Sequence, residues 1–148
     1  MTRSNWFWLA ALAGGAHAAI SLYWALGGTG LLWTMGESFV DGFASRMWLL
    51  YPVALVKFAV AIGPLWLQTR AWRPWPRLTR PASWLAAVTL IGWGGLTTVI
   101  GNLVLASVIA PVGGYDRGAM IGHAWLWDPL FAVWGVALLV GLARTRRR

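Results

Sequence analysis

Lys57 stands near the middle of an apolar stretch of membrane-spanning length, Met47 to Leu67, and Asp128 stands inside another, Ile121 to Ala143. A charge at the centre of a bilayer costs at least about 2.5 kcal/mol, so both groups are expected to face the protein interior, a partner or a watered cavity. There, an amine and a carboxylic acid can move a proton, orient the polar head of a lipid, or hold each other as an ion pair. Two more polar residues accompany them: His17 within Trp6 to Leu26, and Asn102 within Ser83 to Ala110.

Counted from the outer helix ends at about 1.5 Å per residue, His17, Lys57, Asn102 and Asp128 all fall roughly 12 to 15 Å deep. A single central site built from one residue of each helix is therefore expected. Neighbours at i±3 and i±4 extend the faces: Gly14, Ser21 and Trp24 beside His17, Gly95 and Thr98 beside Asn102, and Ala124, Trp125 and Phe131 beside Asp128. Pro129 removes the N–H that would bond the Trp125 carbonyl, so a kink beside the acid is expected. His123 is five positions from Asp128, about 140° away on an α-helix, and the two are not expected to share a face.

Two other chemistries fare poorly. A haem between His17 and His123 needs both at one depth, and they differ by roughly 7 Å; no cofactor is expected. Glu37 and Asp41 have i, i+4 spacing, but two carboxylates alone are a weak set for a divalent ion, and no metal site is expected.

The elements that must position these residues follow from composition. The chain has 148 residues, 59% of them hydrophobic and 11% charged, against about 25% charged in ordinary soluble domains, and a mean hydropathy of +0.63. Four apolar stretches reach the roughly 20 residues that a membrane helix needs: Trp6 to Leu26, Met47 to Leu67, Ser83 to Ala110 and Ile121 to Ala143. The expected fold is all-α, an integral membrane antiparallel four-helix bundle forming one domain over residues 1–148. The first stretch exceeds the roughly 7 to 15 apolar residues of a signal-peptide core and is kept as a helix. With no cysteine, disulfides, thiolate metal sites and dithiol redox chemistry are excluded, including quinone reduction by paired cysteines.

The net charge of +8 reads as topology. Arg3, Arg70, Arg73, Arg77, Arg80, Arg144, Arg146, Arg147 and Arg148 fall on one side of alternating helices, while Arg46 and Arg117 fall on the other with Glu37, Asp41 and Asp116. Both termini are therefore expected in the cytoplasm, across a bacterial-type cytoplasmic membrane. Membrane lipids are the expected partners, with a hydrophobic small molecule as a further one; nucleic acid is not expected. Protein partners and oligomeric state are left open. The loop from Gly27 to Arg46 carries Trp33, Phe39 and Phe43 and is expected as a short interfacial helix, placed to act as a lid. The loop from Gln68 to Ala82, with Trp72, Pro74, Trp75, Pro76 and Pro81, is expected to anchor the opposite side. Of thirteen tryptophans, Trp6, Trp8, Trp24, Trp48, Trp66 and Trp84 suit the interfacial belt, while Trp93, Trp125, Trp127 and Trp134 lie deeper, as an aromatic wall.

The run from His17 through Tyr23-Trp24-Ala25-Leu26-Gly27-Gly28, with the closing His123-Ala124-Trp125-Leu126-Trp127-Asp128-Pro129, resembles an uncharacterised family of small bacterial four-helix membrane proteins. That resemblance implies the bundle and no activity. In design rather than motif, the chain is similar to small actinobacterial membrane-bound terpenoid cyclases, in which a buried aspartic acid protonates an isoprenoid inside an aromatic bundle.

The leading expectation for function is acid-initiated cyclisation or isomerisation of an isoprenoid or related lipid. Asp128 would supply the proton, with His17 or Asn102 orienting it; Lys57, Tyr23, Trp24, Trp93, Trp125, Trp127, Phe131 and His123 would surround the substrate. Aromatic faces stabilise the carbocation and an apolar site excludes the water that would quench it. Close pairing of Lys57 with Asp128 works against this, because a neighbouring cation favours the ionised carboxylate. The alternatives are a non-catalytic module that binds a lipid or small hydrophobic molecule or assists a larger complex, and a purely structural bundle whose Lys57–Asp128 pair specifies packing.

Overall fold

The computed structural model describes residues 3–69 and 75–145. Trp72 and Pro74 of the expected anchor, and Arg70, Arg73, Arg146, Arg147 and Arg148 of the charge asymmetry, lie outside the described residues. In chain order the helices are α1 (Arg3–Ala25), α2 (Glu37–Phe43), α3 (Leu50–Thr69), α4 (Pro76–Leu105), α5 (Arg117–Gly122) and α6 (Asp128–Ala143). Short 3₁₀ segments occupy Leu32–Met35 and Ala44–Leu49, a π-helical turn, His123–Trp127, joins α5 to α6, and no strand occurs among the described residues. Four helical stretches, Ser4–Ala25, Glu37–Leu67, Pro76–Leu105 and Arg117–Ala143, are long and apolar enough to cross a membrane.

The third of these runs from Pro76 to Leu105 rather than from Ser83 to Ala110. Pro76 occupies the first helical position, where a missing N–H costs nothing and its fixed φ favours the helix. At the far end Ser107 takes φ 59°, a left-handed conformation that stops the ladder. The fourth stretch starts earlier than Ile121 because Asp116 caps it, its Oδ1 accepting from the Ala119 N–H at 2.9 Å.

α1 and α6 form the middle of the molecule. α1 packs on α3 and α6, α6 packs also on α4, and α3 and α4 scarcely meet. Small residues set these contacts and let the helix backbones approach closely. A Cβ on Gly14 would fall 2.5 Å from the Trp134 ring and 2.7 Å from the Ala61 Cβ, so at Gly14 these two side chains of α6 and α3 rest directly on the α1 backbone. On α4, Ala87, Gly94 and Gly101 recur every seven residues as a buried stripe. Gly94 lies against the Asp128 carbonyl and the Ala132 N–H, and Gly101 against Ala124. Gly95, expected at the contact, faces open space.

Phe7 near the start of α1 packs on Gly141 near the end of α6, and Arg144 lies 5.6 Å from the Trp6 ring, so these two chain ends share one end of the bundle. Arg80 fastens α4 to the same end, donating to Thr145 Oγ1 at 3.1 Å and to the Thr145 carbonyl at 2.9 Å. The segment from Gly27 to Leu49 lies over the other end. It is tied there by Trp24 Nε1 donating to the Gly30 carbonyl at 2.8 Å and by Trp127 Nε1 donating to the buried Thr34 Oγ1 at 2.9 Å.

Candidate functional site

The polar residues expected at one centre separate into three groups. Lys57 and Asp128 are not each other's partners. Lys57 of α3 reaches α1, with Nζ 2.9 Å from Ser21 Oγ and 3.1 Å from His17 Nδ1. An ammonium only donates, so His17 accepts through Nδ1 and its proton resides on Nε2. That nitrogen is buried and has no hydrogen-bond partner among the described residues. Ser21 completes the unit by donating to the His17 carbonyl at 3.2 Å, one turn back along α1. The His17 ring lies 4.0 Å from that of Phe131 and 5.5 Å from that of Trp127, both on the chain of Asp128. Lys57 Nζ stands 5.6 Å from the Phe131 centroid, within reach of a cation–π attraction.

Asp128 bonds instead to His123, Oδ2 to Nδ1 at 3.1 Å. This overturns the expectation that five residues set the two on different faces, and the cause is the π-helical turn. The Asp128 N–H bonds the His123 carbonyl, five residues back, and a turn closed at i, i+5 stacks its first residue on its sixth. Pro129 follows at once and cannot supply the next α-type bond to Trp125, so the ladder widens just before it. Asp128 is 1% exposed, whereas the His123 side chain is 46% exposed. A carboxylate only accepts, so the pair fixes the proton on His123 Nδ1 and leaves Nε2 as the outward-facing atom.

Asn102 forms the third group and does not join the centre. It is exposed; its Nδ2 donates to the Thr98 carbonyl at 2.8 Å and its Oδ1 accepts from Trp125 Nε1 at 3.0 Å. Gly94 and Gly101 carry the buried face of α4, which turns Asn102 to the outside. Trp93 and Trp125 follow it, each 63% exposed, so neither walls an interior space. Tyr23 is also exposed: its ring lies against Gly28, and its hydroxyl accepts from the Gly30 N–H at 3.1 Å. Trp24 and Trp127 are buried and meet edge to face at 5.3 Å, each indole N–H spent on the overlying segment.

Because α3 and α4 stand apart, a groove of about 350 Å³ opens between them. Val56, Val60, Leu85 and Leu90 form its sides, Phe131 and Trp134 of α6 its floor, and Lys57 its one charged group. The volume lies within the usual range of small-molecule sites. The groove could not be read from the sequence, since it arises from a contact that is missing. Trp134 belongs to its floor rather than to the upper wall with Trp127. Ser21 was visible as a neighbour of His17 on one helical face but not as the acceptor for Lys57, and nothing marked Thr34.

Among the described residues no group of three or more histidines or carboxylates is placed to hold a metal ion. No curated protein and no solved structure matches the chain. The model of a family of proteins of unknown function, DUF3995, matches residues 14–138, a range that takes in His17, Lys57, His123 and Asp128, and the chain belongs to that family.

Proposed function

We propose that the protein binds an isoprenoid or related lipid within the membrane, seating its apolar chain in the groove between α3 and α4 and its polar atom at Lys57. The supporting observation is a cationic side chain in the wall of a groove whose other lining residues, Thr89 aside, are apolar, held by Ser21 and His17 rather than neutralised by a carboxylate. A half-buried cation without a carboxylate partner is costly in hydrocarbon, and a ligand carrying a carbonyl, hydroxyl or acidic oxygen relieves that cost. A photoactivatable isoprenoid in nanodiscs tests the reading: labelling should map to α3, α4 and Phe131, and Ala86→Trp, which fills the groove, should abolish it. Labels spread evenly over all lipid-facing residues, unaffected by Ala86→Trp, would refute it.

A second reading, acid-initiated cyclisation or isomerisation, draws support from Asp128 lying at the start of α6, directly after Trp127 and one turn before Phe131. It ranks behind because the Asp128 carboxyl is buried against His123 and does not line the groove. Under it, Asp128→Asn abolishes turnover of an isoprenoid substrate in a folded protein; under the first reading the same variant still takes up the photoprobe. We place the protein in a bacterial-type cytoplasmic membrane as an antiparallel bundle with both termini inside, supported by the arginine asymmetry. A reporter fused after Arg148 should be active only in the cytoplasm.

A further inference from the structure

The chain holds eleven arginines and one lysine. Every cation outside the spanning core is an arginine, and the one primary-amine side chain is Lys57, midway along α3. Arginine would hold charge more durably at such a place, whereas a lysine brings what a guanidinium lacks, a nitrogen able to become a nucleophile.

Around that nitrogen the geometry is that of an amine beside a base. His17 Nδ1 is 3.1 Å from Nζ, within the reach of a base serving a nucleophile. The imidazole is steadied in turn by the Phe131 ring at 4.0 Å, and Ser21 Oγ at 2.9 Å fixes the direction of the amine. Among the described residues no carboxylate stands at hydrogen-bond distance to tie the ammonium down, since Asp128 is held by His123. The same nitrogen borders the apolar groove floored by Phe131 and Trp134.

We propose that Lys57 captures an apolar aldehyde as an imine. This deepens the lipid-binding reading and rests on it, naming the substrate class as a long-chain aldehyde, saturated or isoprenoid. His17 takes a proton from the Lys57 ammonium; the freed lone pair attacks the aldehyde carbon, and the proton returns from His17 to the carbonyl oxygen, giving a carbinolamine. Loss of that oxygen as water leaves a protonated carbon–nitrogen double bond. Ammonium and aldehyde thus give protonated imine and water, with the charge unchanged and nothing oxidised or reduced. The product keeps its cation over the Phe131 face and its chain in the groove.

The full-length protein in nanodiscs is incubated with hexadecanal or farnesal and cyanoborohydride, which reduces an imine to a stable secondary amine, and the adducts are mapped by peptide mass spectrometry. The expected result is alkylation at Lys57 at least tenfold faster than at the chain's α-amino group, which reports general amine reactivity in the same sample. His17→Gln should slow the Lys57 adduct tenfold or more, and Ser21→Ala less. Lys57→Arg, which keeps the charge but has no primary amine, should remove the adduct. Preference for farnesal or for hexadecanal assigns the chain type. Groove labelling with no Lys57 adduct overturns the imine and leaves binding intact; absence of both removes the lipid reading as well. An adduct that forms no faster than at the α-amino group, or equally fast in a folded His17→Gln protein, also overturns the proposal.

Discussion

Two ionisable pairs in the same bundle are built in opposite ways. His123 and Asp128 are five residues apart on one continuous helix, and a single widened turn brings them together. Lys57 and His17 are forty residues apart and meet only because α1 packs on α3. The local pair depends on backbone geometry inside one segment; the distant pair depends on tertiary packing. The carboxylate is the buried member of the first, with its histidine turned outward, while the cation of the second faces an open groove. Neutralising charge is thus confined to the His123 side, and the Lys57 side is left with neutral acceptors that can exchange for a ligand.

The largest expected effect comes from parting α4 from α6 at the level of Asp128. A Cβ on Gly94 would lie 2.5 Å from the Asp128 carbonyl oxygen and 2.7 Å from the Ala132 nitrogen, both backbone atoms that cannot swing aside. Gly94→Leu should therefore lower stability by at least about 3 kcal/mol, the upper part of the overpacking range, read as a drop in Tm in detergent. Gly95→Leu, on the open face of the same helix, should leave Tm nearly unchanged. Equal losses from the two would remove the assigned packing of α4.

Next is the independence of the two pairs. Asp128→Asn weakens a charge-assisted hydrogen bond from a half-exposed partner and should cost about 1 to 3 kcal/mol. In a double-mutant cycle it should couple to His123→Gln by more than about 0.5 kcal/mol, and add to Lys57→Met within about 0.5 kcal/mol. Rescue of Asp128→Asn by Lys57→Met would instead favour the structural alternative, a Lys57–Asp128 ion pair that specifies packing. Lys57→Met alone should cost about 1 kcal/mol, since methionine fills the volume but leaves the His17 Nδ1 acceptor unmatched.

The parts legible from sequence are those governed by periodicity and hydropathy. Four apolar stretches, and His17 with Gly14 and Ser21 on one face, follow from composition and the 3.6-residue repeat, and His17 and Ser21 are indeed both buried. What escaped was each departure from that repeat. Pro129 announced a disturbance beside Asp128, but whether a proline is met by a kink or by a widened turn is decided by packing on either side. Polarity and depth alone point Asn102 inward, whereas Gly94 and Gly101, roughly a quarter-turn away around α4, pack more closely than any side chain could, and they set the rotation of the helix. A polar residue can satisfy itself at the surface through its own preceding turn, as Asn102 does on Thr98.

The smallest effect concerns the segment over the loop end, where the same contrast between local and distant contacts recurs in one residue. Asp116 accepts locally from Ala119 N–H through Oδ1 and distantly from Glu37 N–H through Oδ2, both at 2.9 Å, and so caps α5 and α2 together. These backbone donors, Ala119 foremost, hold its carboxyl below the ordinary value of 3.8. A depressed folded value means that the stabilisation is complete above the unfolded value and disappears as pH falls through the folded one. Hydrogen exchange at the Ala119 and Glu37 amides should therefore be unchanged from pH 7 to pH 5, after correction for intrinsic rates, and lose protection only below pH 3.8. Glu37 and Asp41 line the same outer pocket, so the control is Asp116→Ala, which should show the unprotected rates at every pH while the α1–α3 contact keeps its protection. Protection at both amides that survives in Asp116→Ala would show that the two helix starts are held by something other than this carboxylate.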